Sequence, residues 1–270
     1  MSLYINKNTR VLVQGITGTN GQKLTRKMLD FGTNVVAGVS PGKGGEWVLE
    51  GKVPVFDSTR TAVELTGANT ALITVPARFA KDALLECSSA GISLVICVTE
   101  NIPLKDVMIV KQFYEHHHSK LLGPSSPGIF SPEIAMIGSF PFQNLKSGNV
   151  GVVSRSGSLT YEVMNFLSEA NIGVSTCVGI GAAPIHGMGF IEVLDAMQMD
   201  PETEKIILIG RVDSPEEEEA LQYAMRNILK PVVVFLYGYC RSDYPDVEDI
   251  EQNFPLAKTL KDIPTILSTL

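Results

Sequence analysis

The sequence predicts two consecutive doubly wound α/β domains. Three observations carry that expectation. Short apolar runs rich in valine, isoleucine and leucine alternate with amphipathic stretches of 10–15 residues, the mark of parallel strands joined by helices. The alternation breaks between Ser125 and Asn149 and then restarts. Each half opens on a strand, a turn of small residues and a helix: "RVLVQGITGTNGQKLTRKML" from Arg10 and "NVGVVSRSGSLTYEVMNFLSEA" from Asn149.

In the first half the expected strands are Arg10–Val13, Asn34–Val39, Thr70–Ile73, Leu94–Val98 and Lys120–Leu122. Between them, "PARFAKDALLECSSAG" and "PLKDVMIVKQFYEHHHS" have helical spacing. Residues 126–149 contain three prolines and no sustained period, and read as a connection between domains 1–125 and 150–270. In the second half "VSTCVGIG", "KIILIGR" and "KPVVVFLYG" supply further strands, and "EEEE" at 216–219 opens a helix, where acids suit the dipole.

A length of 270 residues allows a substantial core in each domain. The longest apolar runs are about ten residues, against roughly 20 for a membrane span, so no membrane partner is expected. The opening "MSLYINKNTR" has no apolar targeting stretch, and the expected location is the cytosol, or an organellar matrix for a mature form. Residues 1–150 carry 14 Lys+Arg against 11 Asp+Glu; the remainder carries 8 against 18. This balance, without basic clusters, argues against nucleic acid, and an anionic small ligand suits the first half better. Cys87, Cys97 and Cys177 lie in apolar contexts and form no CxxC pair, as buried free thiols do.

The first turn spaces Gly15, Gly18 and Gly21 by three, between strand and helix. Such a turn holds phosphate on the helix terminus, although tight packing alone also selects glycine. The dinucleotide fingerprint is GxGxxG, and Val13 stands at its first glycine. At the end of the second strand, where NAD proteins carry an acid, the chain reads "VVAGVSPGKGGEW". Glycines around Lys43 can bring an ammonium and backbone N–H groups to a phosphate. A phosphorylated adenine ribose therefore fits better than plain NAD, and both NADP and coenzyme A qualify.

The motifs "QGITGTNG", "GVSPGKGG", "ITVPARF", "VTENIP", "GPSSPG", "VVSRSGSLTYE" and "CVGIGAAPI" occur in the order found in the α subunit of succinyl-CoA synthetase, and the chain resembles that family from about Tyr4 to Gly238. The resemblance implies a Rossmann-like CoA-binding domain followed by a flavodoxin-like domain, with coenzyme A as cofactor. It implies that Thr17, Gly18, Thr19 and Asn20 surround the pyrophosphate, that Lys43 serves the ribose phosphate, and that Val98, Thr99 and Glu100 line the nucleotide or pantetheine path. Ser125 and Ser126 stand where the family carries Asn and Cys, near the thiol end. Ser154, Ser156, Gly157 and Ser158 match the helix end that holds the phosphate of a phosphohistidine, faced by a helix of the β subunit. Tyr161 matches a tyrosine near the carboxylate substrate. Plain N-capping is the alternative use of those serines.

The same resemblance marks departures. The family's phosphohistidine sits on a Gly-His-Ala-Gly loop after the strand matching "KPVVVFLYG", yet no histidine follows His186 here. Arg211, in "IGRVDS", replaces a glutamate, and Ala183, in "GAAP", stands for an aspartate. The expectation is a CoA-binding protein that has lost phosphoryl relay and works with a β-type ATP-grasp subunit or by self-association. A working acyl-CoA ligase with altered residues is the alternative, and an NADP-dependent oxidoreductase a third reading. His186, in "APIHGMGF", is a weak catalytic candidate, and Cys240 a weaker one with no base nearby in sequence. His116, His117 and His118 read as a solvated helix end, and no metal site is expected there.

Overall fold

The computed structural model describes residues 4–140, 145–212, 214–238, 250 and 252–270. Thirteen strands among these form two sheets. The first runs β3 (Trp47–Val48), β4 (Val53–Phe56), β2 (Val35–Val39), β1 (Val11–Gln14), β5 (Thr70–Ile73), β6 (Leu94–Cys97), β7 (Lys120–Leu122), with all pairs parallel except the β3–β4 edge. Without β3 this is the 3-2-1-4-5-6 order of the dinucleotide-binding fold, whose winding reverses between β1 and β5. Alternation along the strands feeds both faces. Val11 and Val13 enter one core with Leu24 and Met28 of α1 (Thr19–Phe31), while Leu12 enters the other beneath α3 (Ala77–Ser89) and α4 (Leu104–Glu115).

The second sheet runs β13 (Val232–Tyr237), β12 (Lys205–Arg211), β10 (Ser147–Ser154), β11 (Val174–Gly179), β8 (Gly128–Ser131), β9 (Ala135–Gly138). Its four parallel strands have the 2-1-3-4 order of flavodoxin-like sheets. A single parallel bridge, Val234 with Leu256, stands where that order places a fifth strand. Helices α5 (Gly157–Glu169) and α8 (Ile263–Thr269) cover one face; α6 (Phe190–Met199) and α7 (Pro215–Asn227) cover the other. The acids of "EEEE" do open α7, with Glu216, Glu217 and Glu218 in its first turn.

The segment expected as plain connection contains β8 and β9, an antiparallel hairpin added to the edge of the second sheet. Also unforeseen were β3, β4 and α2 (Thr59–Thr66). The hairpin rests against α1. The Thr33 hydroxyl donates to the Met136 carbonyl at 2.9 Å and accepts its N–H at 3.0 Å. One apolar core continues from the α1 face of the first sheet into the α6–α7 face of the second. The two sheets are therefore packed into one body, and a cleft lies at their junction.

Candidate functional site: a cleft between two helix termini

The first terminus is built by the glycine turn. Gly15 sits at φ +83°, and a Cβ on Gly21 would lie 2.3 Å from the Gly15 carbonyl oxygen, so local packing demands both glycines. Gly18 differs. Its φ is −76°, and a Cβ there would meet only the Gly15 oxygen, at 3.3 Å. Gly18 is the N-cap of α1 and offers no side-chain oxygen to the first-turn N–H groups. A bare terminus with clear space above it suits an incoming pyrophosphate, as coenzyme A requires. Thr17 joins this turn to the end of β2 through a 2.9 Å hydroxyl contact with Ser40. Lys43 follows on the same rim, its ammonium 3.0 Å from the Glu46 carboxylate in a half-exposed pair of the kind that contributes little.

From Asn20 and Leu24 of α1 a cavity of about 750 Å³ runs to the opposite wall. Val98 and Glu100 line it after β6, as do Ser125 and Ser126 after β7. Thr99, between Val98 and Glu100, donates its hydroxyl to the Val75 carbonyl at 2.8 Å. Ser126 is buried; its hydroxyl donates to the Gly179 carbonyl at 2.6 Å and accepts the Gly128 N–H at 2.9 Å, both in the second sheet, while its own N–H donates to the Cys97 carbonyl of the first sheet at 3.1 Å, so the residue ties the two sheets. Burial pushes the Cys97 thiol, at the end of β6, up to about 12, which leaves no thiolate at this rim.

The second terminus is that of α5. Ser156 is its N-cap, accepting the Leu159 N–H at 3.3 Å. Ser154 is fully buried and turns inward, accepting the Ser156 N–H at 3.2 Å and donating to the Ser156 carbonyl at 3.0 Å. Those two hydroxyls hold the turn, while Gly157 and Ser158 face the cavity. Tyr161, one turn on, also lines it, and its hydroxyl contacts that of Ser139. Burial raises the Tyr161 hydroxyl above its usual range and the Ser139 hydrogen bond offsets part of that, so the phenol stays neutral. Ser139, on the unforeseen hairpin side of the cleft, had no local sequence signal.

Behind α5, Arg155 donates to Glu216 at 2.7 Å, to Glu217 at 3.3 Å and to the Ala183 carbonyl at 3.4 Å. Glu217 is buried and also accepts the Arg211 N–H at 2.9 Å, while the Arg211 side chain is exposed. The buried His186 places Nε2 2.9 Å from Glu216 and Nδ1 3.1 Å from the Met188 carbonyl. Both ring nitrogens are therefore engaged by groups of the second domain, and neither is turned into the main cleft. His186 lines a different cavity, of about 380 Å³, beside Glu192 and Lys111. Burial alone would push the Glu216 carboxyl up; the hydrogen bonds and charges of His186 and Arg155 outweigh it and hold the group below its ordinary value. His116, His117 and His118 are exposed where α4 ends, and His117 stacks on Phe113. Cys87, Cys97 and Cys177 are buried and free; Cys240 lies outside the described residues.

A Rossmann-type domain and a flavodoxin-like domain thus meet at one cleft, a two-domain α/β architecture with a helix terminus at either wall. Residues 6–101 match the CoA binding domain family, and residues 147–244 match the succinyl-CoA ligase like flavodoxin domain. The α subunit of ADP-forming succinate–CoA ligase from Staphylococcus epidermidis strain ATCC 35984 is 47% identical over 238 residues, covering 88% of this chain and 78% of that protein. The corresponding subunit from Staphylococcus aureus strain N315 is 48% identical over the same shares. This chain belongs to the succinate–CoA ligase α-subunit family. The fold recurs in the ATP citrate lyase of Methanothrix soehngenii, solved with citrate and coenzyme A, at TM-score 0.84 and 18% identity over 98% of this chain. It recurs in a dinucleotide-forming acetyl-coenzyme A synthetase of Ca. Korarchaeum cryptofilum at TM-score 0.77 and 20% identity over 96% of this chain. This chain spans 51% and 60% of those two chains.

Proposed function

We propose that this chain is a CoA-binding α-type subunit that holds an anion at the α5 terminus but carries no phosphohistidine of its own. The observation that carries this reading is the state of the histidines. Residues 187–270 contain none, and His186 has both ring nitrogens committed to acceptors outside the main cleft. A phosphoryl relay needs an imidazole lone pair that can reach the donor and the acceptor in turn. Arg211 also replaces, by the family resemblance, a carboxylate that would hold such an imidazole, and a cation there disfavours an imidazolium.

In this reading the α1 terminus and Thr17–Asn20 bind the pyrophosphate, Lys43 the ribose phosphate, and Val98 and Glu100 flank the path to the α5 end of the cleft. Gly157 and Ser158 supply N–H and hydroxyl donors for an anion, and Tyr161 lies beside it. Coenzyme A supplies the thiol that an acyl group is carried on. The relatives' designation as subunits supports an ATP-grasp β-type partner, and the same names favour the second reading, a working ligase in which another group carries phosphate.

Incubation with labelled ATP and a competent β subunit separates the two. The expected outcome is no acid-labile phosphate on this chain and no thioester formation from succinate. Label on His186, or turnover abolished by His186→Asn, overturns the proposal and establishes that the relay has moved.

A further inference from the structure

We propose that Trp47 is the stacking platform for the adenine ring of coenzyme A, in a groove beside the Lys43 loop that none of the glycine-turn residues reaches. The inference rests on CoA occupying the first domain with its ribose phosphate at Lys43. Trp47 is the single tryptophan of the chain and is 62% exposed, so its indole contributes little to folding where it stands. It lies on the two-residue strand β3, directly opposite Pro54 in the antiparallel pair with β4. With Gly44, Pro54, Phe56 and Asp57 it lines a groove of about 440 Å³, ample for a purine.

That groove is tied to the phosphate-binding rim by hydrogen bonds. Gly44 donates its N–H to the Asp57 carboxylate at 2.9 Å, and Gly45 donates to the Val55 carbonyl at 3.0 Å. The loop bearing Lys43 is thereby pinned to β4 and the turn that leads from it into α2. In coenzyme A the 3′-phosphate and the base are carried by the same ribose. A lysine that holds the phosphate therefore brings the base within reach of a platform only a few residues away. An exposed indole provides a large, rigid π-face, and stacking on it needs no specific hydrogen-bond pattern. Asp57, in the groove wall, is an acceptor of the kind that an exocyclic amine seeks.

Because Trp47 is the sole tryptophan, its emission reports on this groove alone. The protein is titrated with CoA, 3′-dephospho-CoA and phosphopantetheine, following both fluorescence and heat. The expected result is a saturable change in emission with the two adenine-bearing ligands and none with phosphopantetheine. Trp47→Leu is expected to weaken CoA binding on the order of 10-fold, while Trp47→Phe retains most of the affinity. Heat of CoA binding with unchanged emission, and a Trp47→Leu variant that binds like the parent, overturns the platform but leaves CoA binding standing. Absence of any CoA heat in the parent protein overturns the CoA site and the platform with it.

Discussion

Lys43 and Glu46 form a half-exposed pair on the rim where the ribose phosphate is proposed to sit. A phosphate there competes with the Glu46 carboxylate for one ammonium. Lys43→Ala is expected to weaken CoA binding by about 1–3 kcal/mol and to abolish discrimination against 3′-dephospho-CoA. Glu46→Gln acts in the opposite sense, releasing the lysine and tightening CoA a few-fold. Calorimetry of both variants with both ligands checks this, and discrimination that survives in Lys43→Ala refutes the assignment. A second residue-level expectation concerns pH. Folding holds the Glu216 carboxyl below its ordinary value of 4.5. A depressed folded value stabilises the native state above the unfolded value, and that stabilisation is lost as pH falls through the lower, folded value. Glu216→Gln is therefore expected to lower the urea midpoint at pH 7, by an amount that shrinks as pH falls below 4.5. A deficit that stays constant as the pH falls would show that the carboxylate's charge plays no part.

At the level of elements, α2 depends on a side chain from another helix. Glu86 of α3 accepts the Thr59 N–H at 2.7 Å and the Gln14 side-chain amide at 2.7 Å. Glu86→Ala leaves those donors unpaired in a part-buried site, with an expected loss of about 2–4 kcal/mol. Denaturant unfolding with an unchanged slope tests it; a loss under half a kilocalorie (~0.5 kcal/mol) would mean that water replaces the carboxylate. That helix and the strands β3 and β4 escaped the sequence reading because they are two to eight residues long and Pro54 interrupts the apolar run. The hairpin β8–β9 escaped for a different reason: each strand is four residues long, and its place is fixed by pairing with β11, far along the chain. The longer strands, Lys205–Arg211 and Val232–Tyr237 among them, were legible because extended apolar runs are local information. The candidate site divides the same way. The glycine turn, the Lys43 loop and the α5 terminus are local motifs. The inward turn of Ser154, the Ser126 clamp on Gly179 and the joining of His186 to Glu216, 30 residues later, are products of tertiary packing.

Over the whole molecule, the continuous core beneath both sheets and the Thr33–Met136 bonds tie the two halves together. Unfolding is expected as one transition. Emission of Trp47, in the first half, and far-ultraviolet circular dichroism, from both, should give superimposable curves. Separated midpoints would show that each half melts alone. Thr33→Val removes both hydroxyl bonds at the junction and leaves the Met136 backbone groups without that partner; about 1–3 kcal/mol of lost stability is expected, as a lower midpoint of the same single transition. The shared core also gives ligand binding a thermodynamic signature of its own. A molecule held in the junction cleft draws its affinity from the state in which both sheets are in place, so by mass action it protects the entire chain against heat. At a free concentration one hundred times its dissociation constant the added stability is about 2.7 kcal/mol, whichever wall it touches. Melting curves across a panel of acyl thioesters and small anions would then rank occupants of the cleft by affinity, with no turnover and no second subunit required.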